Sequence, residues 1–66
     1  MLGEDRLQVR QALQALPRRM REVLVLRYYL DLPFAEIAET LGISQSSARS
    51  TSSRGIAILT EKLKEL

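Results

Sequence analysis

A chain of 66 residues has room for one domain at most, and at that size it buries only about 60% of its unfolded surface, so its core must be economical. Its apolar content of 45% suits a packed domain, while the absence of cysteine and histidine removes disulfides, thiolate metal sites and the commonest metal ligand and general base, so no metal or cofactor is expected. The net charge of +2 is weak, no apolar run nears the roughly 18 residues of a membrane span, and Met1 is not followed by a secretory pattern, which makes a cytoplasmic location without a membrane partner the default.

The first helix is expected from about Glu4 to Leu16, with Leu7, Ala12, Leu13 and Leu16 as a loose apolar face. Pro17 stops it, because the residue before a proline is pushed out of helical angles. The second helix is expected from about Arg18 to Leu30. Its centre, Val23-Leu24-Val25-Leu26, is apolar on every side. Burial on most faces is one reading. The other leaves one face open to a partner protein, because a domain this small has difficulty covering all sides of one helix. That reading makes Val23, Leu24 and Leu26 partner-binding candidates.

Asp31-Leu32-Pro33 is a turn, and Pro33 suits the first turn of a third helix, where its missing N–H costs nothing. Phe34, Ile37, Ala38 and Leu41 then repeat at i, i+3, i+4 and i+7. Glu36 sits favourably near the positive end of the helix dipole. Gly42 ends this helix in a left-handed conformation, Ile43 turns back to the core, and Ser44 caps the next helix. Leu41-Gly42-Ile43-Ser44, with the small Ala38 four residues before Gly42, predicts the corner of a helix-turn-helix over about Pro33 to Thr60.

The fourth segment, from about Gln45 to Leu66, is rich in serine: seven of the ten residues from Ser44 to Ser53 are serine or threonine. Those residues favour a linker, but periodicity favours a helix. At about 100° per residue, Ala48, Ser52, Gly55, Leu59, Leu63 and Leu66 share one stripe, and Gln45, Ser46, Arg49, Ser50 and Ser53 lie opposite. The stripe is small in its N-terminal half, which permits close approach of a neighbouring helix.

The exposed face carries the chemistry. Arginine can grip guanine through two hydrogen bonds in the major groove, and helix-turn-helix domains place base contacts near the start of the second helix. Arg49 stands there, with Ser50, Ser53 and Arg54 on or beside the same face. Ser46 and Ser47, at the helix N-terminus, are candidates for backbone phosphate. Charge is uneven: Arg18, Arg19, Arg21 and Arg27 cluster, Asp31, Glu36 and Glu39 follow, and Arg49 and Arg54 are the only charges from Gln45 to Thr60. Such asymmetry fits steering toward a polyanion. There is no histidine, no cysteine and no glycine-rich phosphate loop, and Glu36 and Glu39 lie on a helix surface, so an enzyme is not expected.

The run from Leu16-Pro17-Arg18-Arg19 through Tyr28-Tyr29-Leu30-Asp31-Leu32, continued by Phe34-Ala35-Glu36-Ile37-Ala38 and Leu41-Gly42-Ile43-Ser44, resembles region 4 of bacterial sigma factors. Ala48-Arg49-Ser50 and Ser53-Arg54-Gly55-Ile56-Ala57 resemble its recognition helix. The likeness is nearest to the extracytoplasmic-function group and covers about Leu13 to Leu63. It implies an all-α fold, a compact bundle of about four helices, with residues 1–66 as one region 4-like domain. It implies binding to the promoter −35 element, docking on the flap of the RNA polymerase β subunit, and coverage by an anti-sigma factor. The family's base-reading positions fall on Arg49, Ser50, Ser53 and Arg54, and its phosphate-contacting positions on Arg27 and Phe34. Departures are Pro33 in place of a capping hydroxyl residue, Ala48 in place of valine or isoleucine, Ser52 in place of an apolar residue, and Thr51 where a basic residue often stands. The last implies one phosphate contact fewer.

Two other functions fit parts of the pattern. The C-terminal domain of a response-regulator-type activator shares Glu-Ile-Ala and Leu-Gly-Ile-Ser, although the Leu-Pro-x-Arg opening and Ser53-Arg54-Gly55 favour the sigma reading. A protein-interaction module held by an anti-sigma factor or another regulator, with weak DNA binding, fits the apolar second helix and the modest basic content.

Overall fold

The computed structural model describes residues 2–64, with side chains from Arg6 onward. All regular structure in that range is helical: α1 (Leu2–Gln14), α2 (Arg18–Leu24), a π-helical segment Val25–Tyr29 that continues α2 directly, α3 (Phe34–Leu41) and α4 (Gln45–Lys64). The 20 residues of α4 make a rod of about 30 Å, which nearly spans the 35 Å long dimension of the molecule. The other helices pack along it.

Helix α1 ends at Gln14, two residues before the expected end. Ala15 N–H donates to both the Gln11 and Ala12 carbonyls and Leu16 N–H to the Leu13 carbonyl, so the last turn tightens before Pro17. Ala12 and Leu16 are buried, but Leu7 is 54% exposed and does not join the expected core face. Pro17 occupies the N-cap of α2 with extended angles and provides no side-chain cap. Arg18 and Arg19 stand at the positive end of that helix, an unfavourable position that Glu22 offsets by pairing with both, at 3.1 and 3.7 Å.

Beyond Leu24 the chain does not hold α-helical register to Leu30. Leu30 N–H reaches the Val25 carbonyl at 3.1 Å and Leu32 N–H the Leu26 carbonyl at 3.1 Å, bonds that span five and six residues. Widening the turn in this way places one extra residue in it. Tyr28, Tyr29 and Leu30 are consequently carried outward, at 61%, 78% and 60% exposure. Asp31 then takes φ +58° to redirect the chain, a left-handed conformation that aspartate tolerates better than most residues. The Arg27 guanidinium donates to the Leu32 carbonyl at 3.0 Å and closes the corner.

Pro33 lies one position earlier than expected, as the N-cap rather than the first residue of α3; its carbonyl accepts from Glu36 and Ile37 N–H. Gly42 ends α3 at φ +70°, ψ +36°, and its N–H and that of Ile43 converge on the Ala38 carbonyl. Ser44 Oγ accepts the Ser47 N–H at 3.0 Å, the expected N-cap bond of α4. The serine-rich stretch is therefore helical. The Leu66 end of its stripe lies outside the described residues.

Val23, Ile37 and Ala48 form the centre of the core, one from each of α2, α3 and α4, with Leu26, Leu32, Phe34, Leu41 and Ile43 packed around them. Val23 and Leu24 are 0% and 3% exposed. The partner-binding expectation for these two residues fails, because the core consumes them; Leu26 is half-buried against it. Helix α4 lays Ala48, Thr51, Ser52 and Gly55 against the other helices. Thr51 is 6% exposed and faces inward, so its own side chain is turned away from any phosphate. Gly55 sits so close to α2 that a Cβ there would lie 3.0 Å from Leu24 Cδ1.

Candidate nucleic-acid interface

The corner at Gly42 and Ser44 sets the direction of α4, and its buried stripe sets its rotation. With Ala48, Ser52 and Gly55 inward, Ser46, Arg49, Ser50, Ser53 and Arg54 must turn outward, and all are exposed. Short hydroxyl side chains and two arginines thus make a low polar ridge along the first two and a half turns. Ser50 Oγ donates to the Ser47 carbonyl at 3.3 Å, which leaves its lone pairs outward as acceptors. Ser47 is exposed, but its N–H is already taken by Ser44 Oγ. An anion at this terminus would be met by the earlier N–H groups and the hydroxyls of Ser46 and Ser47.

Three candidates from three elements converge beside this ridge. Phe34, the first residue of α3, is half-buried against the core. The Arg27 guanidinium carbon lies over its ring at 4.4 Å from the centroid, and that of Arg49 at 5.5 Å. Both distances are within the roughly 6 Å range of a cation–π contact. Neither arginine has an ion-pair partner among the described residues. A shallow cleft joins Phe34 and Arg49 to Tyr28, Ser52, Ser53 and Ile56. Tyr28 and Ile56 were not singled out in the sequence; the widened π turn brings Tyr28 here, and helical periodicity alone would have placed Ile56 beside Ser53.

The arginine cluster divides. Arg19 donates to the Leu41 carbonyl at 3.3 Å and Arg21 to the Gln14 carbonyl at 3.4 Å, so each serves a helix C-terminus. Arg18 pairs with Glu22. Only Arg27 of this group reaches the ridge.

A second concavity of about 710 Å³ lies between α1 and the α2–π rod. Val9, Leu13, Val25 and Tyr29 supply apolar surface, and Arg6, Arg10 and Arg21 supply charge around it.

Two helices joined through a left-handed glycine and a serine cap, the second presenting an arginine–serine face away from the core, define a helix-turn-helix DNA-binding domain. The model of the family "Sigma-70, region 4" matches residues 6–59, and the chain belongs to that family. It is 40% identical over 60 residues to the RNA polymerase sigma factor SigF of two Mycobacterium tuberculosis strains, CDC 1551 / Oshkosh and ATCC 25618 / H37Rv. The alignment covers 91% of this chain but 23% of those proteins, so the chain spans about a quarter of the length of these relatives. No solved structure matches it. Among the described residues, no helix is long and apolar enough to cross a membrane.

Proposed function

We propose that this domain reads the −35 element of double-stranded promoter DNA for a sigma factor, with α4 in the major groove, and so directs transcription initiation by RNA polymerase. One observation carries the reading. The rotation of α4 is fixed by burial of Ala48, Thr51, Ser52 and Gly55, which leaves Arg49, Ser50, Ser53 and Arg54 as its outer face. Arg49 takes a base edge, Ser50 and Ser53 flank it with short donors and acceptors, and Arg54 reads or borders the same site. Arg27 and the Ser46–Ser47 end of α4 take backbone phosphate. Phe34 has no polar atom on its side chain, so its part in backbone contact is limited to packing under Arg27.

The same reading places polymerase docking on the groove between α1 and α2. Its apolar floor and basic surroundings would receive an apolar segment flanked by acidic residues, and an anti-sigma factor would compete with the flap for the same surface. Val25, Tyr29, Val9 and Leu13 thereby take the role expected of Val23 and Leu24.

The test is selection of bound sequences from a random duplex pool at stated salt, followed by Arg49→Ala. A short enriched motif is expected, and Arg49→Ala should cost about 1–3 kcal/mol and relax preference at one base pair. No enrichment, with flap or anti-sigma binding intact, would establish the interaction-module reading instead.

A further inference from the structure

We propose that Phe34 is a positioning residue for base reading: its ring holds the Arg49 guanidinium in place before DNA arrives. The inference rests on the reading of α4 given above, and it assigns Phe34 a task other than phosphate contact. A free arginine side chain samples many rotamers, and a two-bond grip on a base demands one plane and one direction. In this structure the Arg49 guanidinium carbon lies 5.5 Å from the centroid of the Phe34 ring. The ring is itself fixed. It opens α3 directly after Pro33, packs on the core formed by Val23, Ile37 and Ala48, and carries the Arg27 guanidinium at 4.4 Å. Arg27 is in turn tied to the Leu32 carbonyl at 3.0 Å. A continuous path therefore runs from the corner after the π segment, through Arg27 and Phe34, to Arg49. The ring belongs to the first helix of the helix-turn-helix and Arg49 to the second, so the contact ties the arginine's position to the angle between them.

The arrangement has an electrostatic side. Two guanidinium groups over one ring stand within about 10 Å of each other, the sum of the two centroid distances, and no carboxylate pairs with either among the described residues. The ring face attracts both cations and holds two like charges that solvent alone would let separate. Neither charge is consumed, so both remain for DNA. A leucine at position 34 would keep apolar bulk on the core and lose only the π face; a tyrosine would keep the face.

The experiment measures the 66-residue chain, its Phe34→Leu, Phe34→Tyr and Arg49→Ala variants and the Phe34→Leu/Arg49→Ala double variant. The probes are the most enriched duplex from the random pool and a scrambled duplex. A cation–π contact of ordinary strength corresponds to about a two- to fivefold change in affinity. Phe34→Leu should weaken the enriched duplex by that factor, with the loss concentrated at the base pair whose preference Arg49→Ala relaxes, and should weaken the scrambled duplex less, by the part that passes through Arg27. Phe34→Tyr should restore the affinity, and Phe34→Leu should cost less once Arg49 is alanine than it does in the wild-type chain. In the free protein, the Arg49 side-chain protons should show a ring-current shift that Phe34→Leu abolishes. Full additivity of the two substitutions, with Arg49→Ala itself harmful, would overturn the positioning role and leave base reading by Arg49 standing. A harmless Arg49→Ala would remove the base-reading premise and the proposal with it. Should Phe34→Leu fail to fold, the wild-type ring-current shift decides: its absence overturns the proposal, and its presence together with an active Phe34→Tyr supports it.

Discussion

Gly55 offers the sharpest test of how α4 is seated. In an exposed helix interior, replacing glycine with alanine gains about 1 kcal/mol from backbone entropy. At Gly55 the added Cβ would sit 3.0 Å from Leu24 Cδ1 and 3.3 Å from Leu24 Cγ, against an ordinary carbon separation of about 3.5–4.0 Å. Leu24 is 3% exposed, so its methyls have little room to retreat, and overpacking of this kind costs about 1–3 kcal/mol. The two effects leave Gly55→Ala between about neutral and about 2 kcal/mol destabilising. Gly55→Val adds two more carbons against the same leucine and should cost more than Gly55→Ala. Leu24→Ala alone should cost about 2–5 kcal/mol through its cavity. In that background Gly55→Val should regain part of the loss by filling the space, which gives a coupling of about 1 kcal/mol or more. Urea unfolding followed by circular dichroism, with the slope held common, supplies each value. A neutral Gly55→Val, or strict additivity with Leu24→Ala, would mean that α2 and α4 do not approach here as closely as described.

The other single-site effects are smaller. Ser44→Ala removes the acceptor of the Ser47 N–H bond and should lower stability by about 1 kcal/mol, readable in the same unfolding assay; Ser44→Asp should restore most of it. Val9→Asp and Tyr29→Ala alter exposed residues of the α1–α2 groove, so they should leave the urea midpoint within about 0.5 kcal/mol of wild type and abolish capture by an isolated β-flap fragment. Retained capture by both variants would place polymerase docking elsewhere.

What could be read from the residues alone follows from how local each demand is. The Gly42 turn and the Ser44 cap are single-residue requirements of the backbone, and both are found where expected. The rotation of α4 was legible because Ala48, Ser52 and Gly55 recur on one stripe even among serines. The π segment was not, since bonds over five residues change neither composition nor apolar content; only the outward turn of Tyr28 and Tyr29 betrays it. Val23-Leu24-Val25-Leu26 is apolar on every side, so periodicity had no polar face from which to orient it. The core took Val23 and Leu24, while Val25 borders the groove. Convergence of Arg27, Phe34 and Arg49 joins three elements across no common period, and tertiary structure alone reveals it.

That division of the arginines bears on how strongly the domain holds DNA. The positive cluster at residues 18–27 looks in sequence like one electrostatic patch. In the fold, Arg18 and Arg19 pair with Glu22, and Arg21 turns to the Gln14 carbonyl and lines the α1–α2 groove. Three arginines, Arg27, Arg49 and Arg54, are left on or beside the outer face of α4 without an ion pair among the described residues. Each neutralised phosphate contributes about −0.9 to the slope of log affinity against log salt. Three at most give a slope near −2.7, or a fall of about 40-fold between about 50 and about 200 mM salt. Proteins with six to ten phosphate contacts lose about a thousandfold or more over the same interval. Titration of the enriched duplex across that range tests the division directly, and Arg27→Ala should bring the slope about one unit closer to zero. A slope steeper than about −5 would show that Arg19, Arg21 or the lysines near the end of α4 also reach the backbone despite their placement in the fold.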